Sequence, residues 1–297
     1  MSTRLIAVVT TAIASTTLAC LGLVYPRVNH GASDARRQLV WVDRAGNASL
    51  LLHGGNNFYL QPRLSPNGTR LAVEVLGERG QSEVWVYQLD PVFGYRLAGG
   101  ADPTWEPNGE RIAFSAAMPP DLYWAAADGS NDPELLLSRR HAQFPSSWSP
   151  DGSALAFYEA HPNTGGDIWI LSSGTTASRF LMTNFSERAP QFSPNGQWLA
   201  YVSDESGRDE VYVRRVHGTG RPHKISIAGG GEAVWSPDGR ELFYREGPWM
   251  MVVDVTRGPL EAGSPMRLFT GGYDWNYPGL PNYDVARDGT RFVMVSR

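Results

Sequence analysis

Cysteine is almost absent from this chain of 297 residues. The single one, Cys20, lies inside the first apolar stretch, so the rest of the chain has no thiol for a disulfide or a Cys-based metal site. Its stability must come from packing. Blocks of one charge are missing too: the 26 Lys and Arg form no run longer than a pair such as Arg139-Arg140 or Arg214-Arg215, and the net charge is only −4. That argues against a nucleic-acid surface, which needs clustered cations to displace counterions from phosphates.

The signatures of catalysis are missing as well. The chain has no kinase glycine loop with its lysine, no His-Arg-Asp, no Asp-Phe-Gly and no Gly-x-Ser-x-Gly elbow. The six histidines, His30, His53, His141, His161, His217 and His223, show no i, i+4 spacing with Glu as on a metalloprotease helix. Gly229-Gly230-Gly231 precedes no helix, so it reads as a loop rather than a phosphate cradle. The acidic loop with Asp204, Glu205 and Asp209 lacks EF-hand spacing and reads as solvated. The expectation is a chain with no catalytic residues, no cofactor and no metal.

Aromatic residues make up 11% of the chain, with ten Trp, and there are 32 Gly and 21 Pro. This balance suits many short strands joined by tight turns. Long helices are not expected beyond the N-terminus. There, Leu5 to Tyr25 run LIAVVTTAIASTTLACLGLVY without a charge, long enough to cross a bilayer as a helix. Three roles stay open for residues 1–25: a retained anchor, an export signal cleaved near Ala12-Ile13-Ala14, or a lipoprotein signal ending at Thr17-Leu18-Ala19-Cys20, with lipid on Cys20. Each places the bulk of the chain outside the cytoplasm, tethered to the inner membrane or secreted. Residues 26–37 are polar without an apolar period and read as a flexible linker.

From there on one turn recurs: Ser65-Pro66-Asn67-Gly68, Glu106-Pro107-Asn108-Gly109, Ser149-Pro150-Asp151-Gly152, Ser193-Pro194-Asn195-Gly196 and Ser236-Pro237-Asp238-Gly239, with a degenerate copy at Ala286-Arg287-Asp288-Gly289. Its glycines follow one another at intervals of 41, 43, 44, 43 and 50 residues. Pro presets φ near −65°, Asn or Asp tolerates the next sharp conformation, and Gly accepts positive φ. The flanks repeat too. Four residues before each Gly stand Leu64, Trp105, Trp148, Phe192, Trp235 and Val285. Three after stand Leu71, Ile112, Leu155, Leu199, Leu242 and Phe292, and two further on Val73, Phe114, Phe157, Tyr201, Tyr244 and Met294. A period of two marks a strand. A third strand opens on an acid, as in Glu83-Val84-Trp85-Val86 or Asp167-Ile168-Trp169-Ile170, and a short fourth follows, as at Tyr95-Arg96-Leu97.

Four strands per unit at this spacing predict an all-β, six-bladed β-propeller over residues 38–297. Leu39 to Asp43 and Ser49 to Leu52 read as a third and fourth strand with no first or second before them. Tyr283-Asp284-Val285 and Arg291 to Ser296 read as a first and second with nothing after. These ends are expected to join in one blade, with a single apolar N-terminal helix preceding the ring. Closure leaves no exposed edge between blades.

The turn Ser-Pro-Asp/Asn-Gly followed by Leu-Ala-Phe/Tyr and Asp-Ile-Trp resembles the TolB-type, WD-like propeller repeat over residues 38 to 297. Leu39 to Arg44, Asn184 to Asp204 and Ser236 to Tyr244 are also similar to the extracytoplasmic propeller half of certain bacterial serine/threonine kinases, where a membrane helix precedes the propeller. The catalytic half is missing here, so kinase activity does not carry over. The resemblance implies a ligand at the mouth of the central channel, lined by first strands and the loops entering them.

Five before each Gly stand Arg63, Thr104, Ser147, Gln191, Val234 and Asp284; seven before stand Gln61, Asp102, Pro145, Ala189, Glu232 and Asn282. Most are polar, as befits a wet channel. Glu187 and Arg188 join the rim beside the loop Ser203 to Glu210. The candidate binding set is therefore Gln61, Arg63, Asp102, Thr104, Glu187, Arg188, Gln191, Glu232 and Asp284, against the alternative that these groups only tie blades together. The expected function is a monomeric, non-catalytic envelope module binding a protein or peptide. The alternatives are a lactonase- or lyase-like propeller enzyme with a channel metal, and the remnant of a propeller-bearing kinase.

Overall fold

The computed structural model describes residues 37–53, 57–77, 80–172, 176–218, 220–275 and 279–296. The expected N-terminal helix, most of the linker and Cys20 lie outside them. β1 (Gln38–Asp43) and β2 (Ala48–Leu52) come first. Blade 1 follows as β3 (Phe58–Leu64), β4 (Arg70–Leu76), β5 (Ser82–Leu89) and β6 (Val92–Gly99). Blade 2 is β7 (Ala101–Trp105), β8 (Arg111–Ala116), β9 (Asp121–Ala126) and β10 (Glu134–Leu137); blade 3 is β11 (Gln143–Trp148), β12 (Ala154–His161), β13 (Gly165–Ser172) and β14 (Thr176–Leu181). Blade 4 is β15 (Glu187–Phe192), β16 (Trp198–Ser203), β17 (Glu210–Arg215) and the two-residue β18 (His223–Lys224). Blade 5 is β19 (Gly231–Trp235), β20 (Glu241–Glu246), β21 (Trp249–Asp254) and β22 (Met266–Thr270), and β23 (Tyr283–Val285) and β24 (Arg291–Ser296) end the chain.

Each blade is a four-stranded antiparallel sheet, and the sixth is the composite one, in the order β2-β1-β24-β23. Its closure is made by β1 against β24, from Gln38 opposite Ser296 to Asp43 opposite Arg291. The two chain ends thus share one ladder, as the incomplete strand sets at either end predict.

The recurring turn closes each first strand onto its second. In blade 1, Gly68 N donates to Ser65 O at 2.7 Å, Ser65 Oγ to Asn67 Oδ1 at 2.7 Å, and Arg70 N to Ser65 Oγ at 2.9 Å. Gly68 has φ +73°, a value that suits glycine because a Cβ would crowd the following carbonyl. Ser149/Asp151, Ser193/Asn195 and Ser236/Asp238 repeat the hydroxyl-to-side-chain bond. In the third turn the Ser149 hydroxyl, then Ser153, pulls the Asp151 carboxyl down to about 2.

The second strands explain the alternation of large and small residues. Ile112 and Phe114 pack back on blade 1 against Ala72, Val84 and Val86, while Ala113 faces Leu155 and Phe157 of blade 3. Ala156 likewise faces Leu199 and Tyr201, and Ala200 faces Leu242 and Tyr244. Blades 2 to 5 therefore lay bulky side chains into the shallow bed that the preceding blade's alanine leaves, while Phe243 of blade 5 and Val293 of the composite blade take that position at the other two seams. Burying one such side chain stabilises the fold by about 1.5–3 kcal/mol.

Turns between first and second strands, and between third and fourth, gather on one end of the ring, here the turn face. The loops between second and third strands and between blades gather on the other, the loop face. The chain enters at the loop face through Arg37, which is buried, ion-paired with Asp274 and placed over the Phe58 ring at 5.5 Å.

Candidate functional site: the axial channel and its rim

The first strands carry the candidate residues, and five of the six are bent, β23 pairing without a slip. Pairing to the second strand slips between Leu60 and Arg63, Ala101 and Thr104, Pro145 and Ser147, Arg188 and Gln191, and Gly231 and Val234. At the slip Gln61, Asp102, Ala189 and Glu232 have φ of +51°, +59°, +51° and +56°. Left-handed backbone at a non-glycine residue costs on the order of 1–2 kcal/mol, so its recurrence in four blades needs a packing reason. The bulge re-aims the side chains on either side of it.

The residues seven before each glycine are buried rather than open to water, with Asn282 and Glu232 at the seams beside the composite blade. Gln61, Asp102 and Glu232 are buried. Gln61 N donates to Asn282 Oδ1 at 2.7 Å, Asn282 N to Glu232 Oε1 at 3.3 Å, and Ser115 Oγ to Asp102 Oδ2 at 2.6 Å. Asn282 so bridges blade 5 to blade 1 across the composite blade.

The residues five before each glycine behave differently. Arg63, Thr104, Ser147, Gln191, Val234 and Asp284, one per blade, line a single cavity of about 210 Å³ on the axis. Pro66, Trp105 and Trp148 are among the other residues of its wall, which places it toward the turn-face end of the channel. Arg63 is clamped by carbonyls: Nη1 donates to Pro62 O at 2.8 Å and Tyr283 O at 3.1 Å, and Nη2 to Pro281 O at 2.8 Å. Asp284 is clamped by N–H groups, Oδ2 accepting from Leu64 N and Oδ1 from Val285 N, both at 2.8 Å. Burial lowers the guanidinium of Arg63 from its ordinary value and raises the carboxyl of Asp284; each charge partly opposes the shift of the other.

Toward the loop face, side chains of three blades meet. Leu280, just before β23, packs against Ala189 of blade 4 and Tyr158 of blade 3, with Phe144 beside them. It is only 2% exposed. A residue of the composite blade that touches the third and fourth blades must reach across the ring. The interval of 50 residues before the last glycine is the sequence signal of this insertion.

Glu187 and Arg188 stand at the loop-face end of β15. Arg188 is buried and ion-paired with Asp209, in the loop that sequence analysis placed beside it. Glu187 is 1% exposed. Its Oε1 accepts from Thr183 Oγ1, while Oε2 has no partner among the described residues. Burial raises this carboxyl to about 7, opposed by the Thr183 hydrogen bond and reinforced by Asp167 and Glu205. The nine candidates thus form three groups: a cavity set, a buried set and a rim pair. Among the described residues no three or more His, Cys, Asp or Glu stand close enough to hold a metal ion.

The fold, the repeat and the channel define a six-bladed β-propeller. Residues 115–248 match the family described as the TolB beta propeller domain. The chain is 32% identical over 123 residues to a protein TolB homolog of Chlorobium luteolum, covering 40% of this chain and 28% of that one. It is 30% identical over 105 residues to the uncharacterized peptidase YuxL of Bacillus subtilis, covering 32% and 16%. The matched segments thus span under a third of either relative. Among solved structures, one from Agrobacterium tumefaciens given the provisional name TolB superposes with a TM-score of 0.72 at 19% identity, over 88% of this chain and 98% of that one.

Proposed function

We propose that this chain is a non-catalytic binding module of the cell envelope, a propeller that takes a protein or peptide partner on its loop-face rim. The observation that supports this most is the surface around Arg188 and Asp209. Exposed Met182 and Phe185 precede the pair on the way into blade 4, and exposed Ile227 precedes blade 5, with Ile227 O accepting from Arg208 Nη2 at 2.6 Å. Apolar anchors around a desolvated charge pair are the anatomy of a protein interface. The TolB-type match over residues 115–248 covers this surface and points the same way.

In this reading Glu187 and Arg188 shape the rim, Gln61, Asp102 and Glu232 hold it rigid from buried positions, and Arg63, Thr104, Gln191 and Asp284 form the channel beneath. Residues 1–25 export or anchor the chain, with Cys20 as a lipid site in the lipoprotein form; residues 26–37 are the tether and residues 38–297 the monomeric propeller, outside the cytoplasm.

Photo-crosslinking from position 185 in intact membranes, with position 108 on the turn face as control, identifies the partner. Ile227→Asp and Phe185→Asp then weaken its binding at least about tenfold, the usual size of an interface anchor. Undiminished binding by both variants rules the rim out. A stoichiometric metal in elemental analysis of the purified chain, with turnover of a lactone or uronate substrate, would favour the enzyme reading instead.

A further inference from the structure

Arg63 and Asp284 line the same cavity, yet neither is the other's partner. The guanidinium is held by the carbonyls of Pro62, Tyr283 and Pro281, and the carboxylate by the N–H groups of Leu64 and Val285. Backbone clamps thus keep a cation and an anion from neighbouring blades fixed and unpaired in one space. Charges fixed in this way need no reorganisation when a ligand arrives, which is how a preorganised site gains affinity.

Trp105 and Trp148 wall this space. Trp105 and Trp235 stand at one repeat position, and each donates its Nε1–H to the preceding blade, to Arg63 O at 2.8 Å and Gln191 O at 3.0 Å. Trp148 occupies that position in blade 3 and lines the cavity, but its buried Nε1 has no partner among the described residues. A fixed cation and a fixed anion therefore share about 210 Å³, a volume equal to roughly seven waters. Leu280 reaches across the ring on the loop-face side, and the cavity is bounded by Pro66 and Trp148 on the turn-face side.

We propose that this axial cavity binds a free α-amino acid from the turn face, its carboxylate on Arg63 and its ammonium on Asp284. The two charges of such a molecule are borne by one carbon, which suits a cation and an anion that backbone clamps hold without a direct ion pair. The small cavity restricts the side chain to a short one, beside Val234 and Thr104. The inference rests on reading the channel as a ligand-accepting surface; it does not depend on the partner at the loop-face rim.

Isothermal titration of the purified full chain with glycine, L-alanine, L-serine and L-threonine tests it, beside N-acetylglycine and glycinamide, which each lack one charge. At least one free amino acid should bind saturably at one per chain. The acetyl and amide forms should bind at least about tenfold more weakly, the loss expected for a charge-assisted contact. Asp284→Asn keeps an acceptor for Leu64 N–H but removes the anion and the acceptor for Val285 N–H, and should weaken binding by a similar factor in a variant that still folds, with a lowered melting temperature. Val234→Phe fills the cavity from another blade and should abolish binding even if Asp284→Asn does not fold. No saturable heat, equal binding of the capped forms, or undiminished binding by a folded variant overturns the inference. Amino-acid binding that survives Ile227→Asp and Phe185→Asp, with partner binding also unchanged, overturns only the rim reading.

Discussion

Glu187 shows how much one side chain can owe to its surroundings. Its carboxyl is buried at the start of β15, is raised to about 7, and faces Asp167 and Glu205 with Thr183 as its one hydrogen-bond donor. Below the ordinary value of 4.5 the group is neutral in folded and unfolded chains alike. Between 4.5 and about 7 the folded chain holds a proton that the unfolded chain has lost, so stability falls as pH rises. Above about 7 the loss is complete. Glu187→Gln keeps the acceptor for Thr183 and carries no charge. It should raise stability at pH 8 by on the order of 2 kcal/mol and leave it unchanged at pH 4. Urea denaturation at the two pH values reads both, and equal effects at both would show that folding does not shift this carboxyl.

At the scale of single elements, close approach between blades sets the tolerances. β13 opens on Gly165-Gly166, and a Cβ on Gly166 would stand 2.4 Å from the carbonyl oxygen of Glu187. Gly166 N also donates to Ser186 Oγ at 3.0 Å. Only a residue without a side chain lets this hairpin of blade 3 press on the start of blade 4. Gly166→Ala should therefore destabilise by about 1–3 kcal/mol, the range for overpacking. Gly207→Ala, in a loop where a Cβ would meet nothing within 4 Å, should cost less despite its φ of +87°. Thermal melts of the two variants compare them directly. The bulges of the first strands belong to this scale too. They separate the buried residues Gln61, Asp102 and Glu232 from the cavity residues two positions on, a division that a strict period of two does not contain.

At the scale of the whole molecule the ring depends on its clasp. β24 contributes Phe292, Val293, Met294 and Val295, all fully buried, to the cores on both sides of the composite blade. At about 2 kcal/mol each, their removal costs on the order of the whole stability of a domain, about 5–15 kcal/mol. A chain ending at residue 290 should lose its cooperative thermal transition, which calorimetry detects; a preserved transition would mean that five blades hold without the sixth. Joining the two ends of the clasp and opening the chain elsewhere preserves every blade, because Gln38 and Ser296 are paired neighbours.

Blade number, strand order and the composite closure were legible in the amino-acid sequence. A turn that needs Pro, Asn or Asp and Gly in succession writes its position into the chain each time, and a half-buried strand writes its period. The fate of the candidate residues was not legible. Arg63 and Gln61 are both polar and two positions apart, and only the bulge between them sends one to the cavity and the other to a seam. Leu280 crossing the ring, the clamps on Arg63 and Asp284 and the spare Nε1 of Trp148 join residues far apart in the chain. Local chemistry determined the repeating elements of this protein, whereas the ring decided which polar groups would be left unpaired, because pairing depends on where neighbouring blades place their backbone.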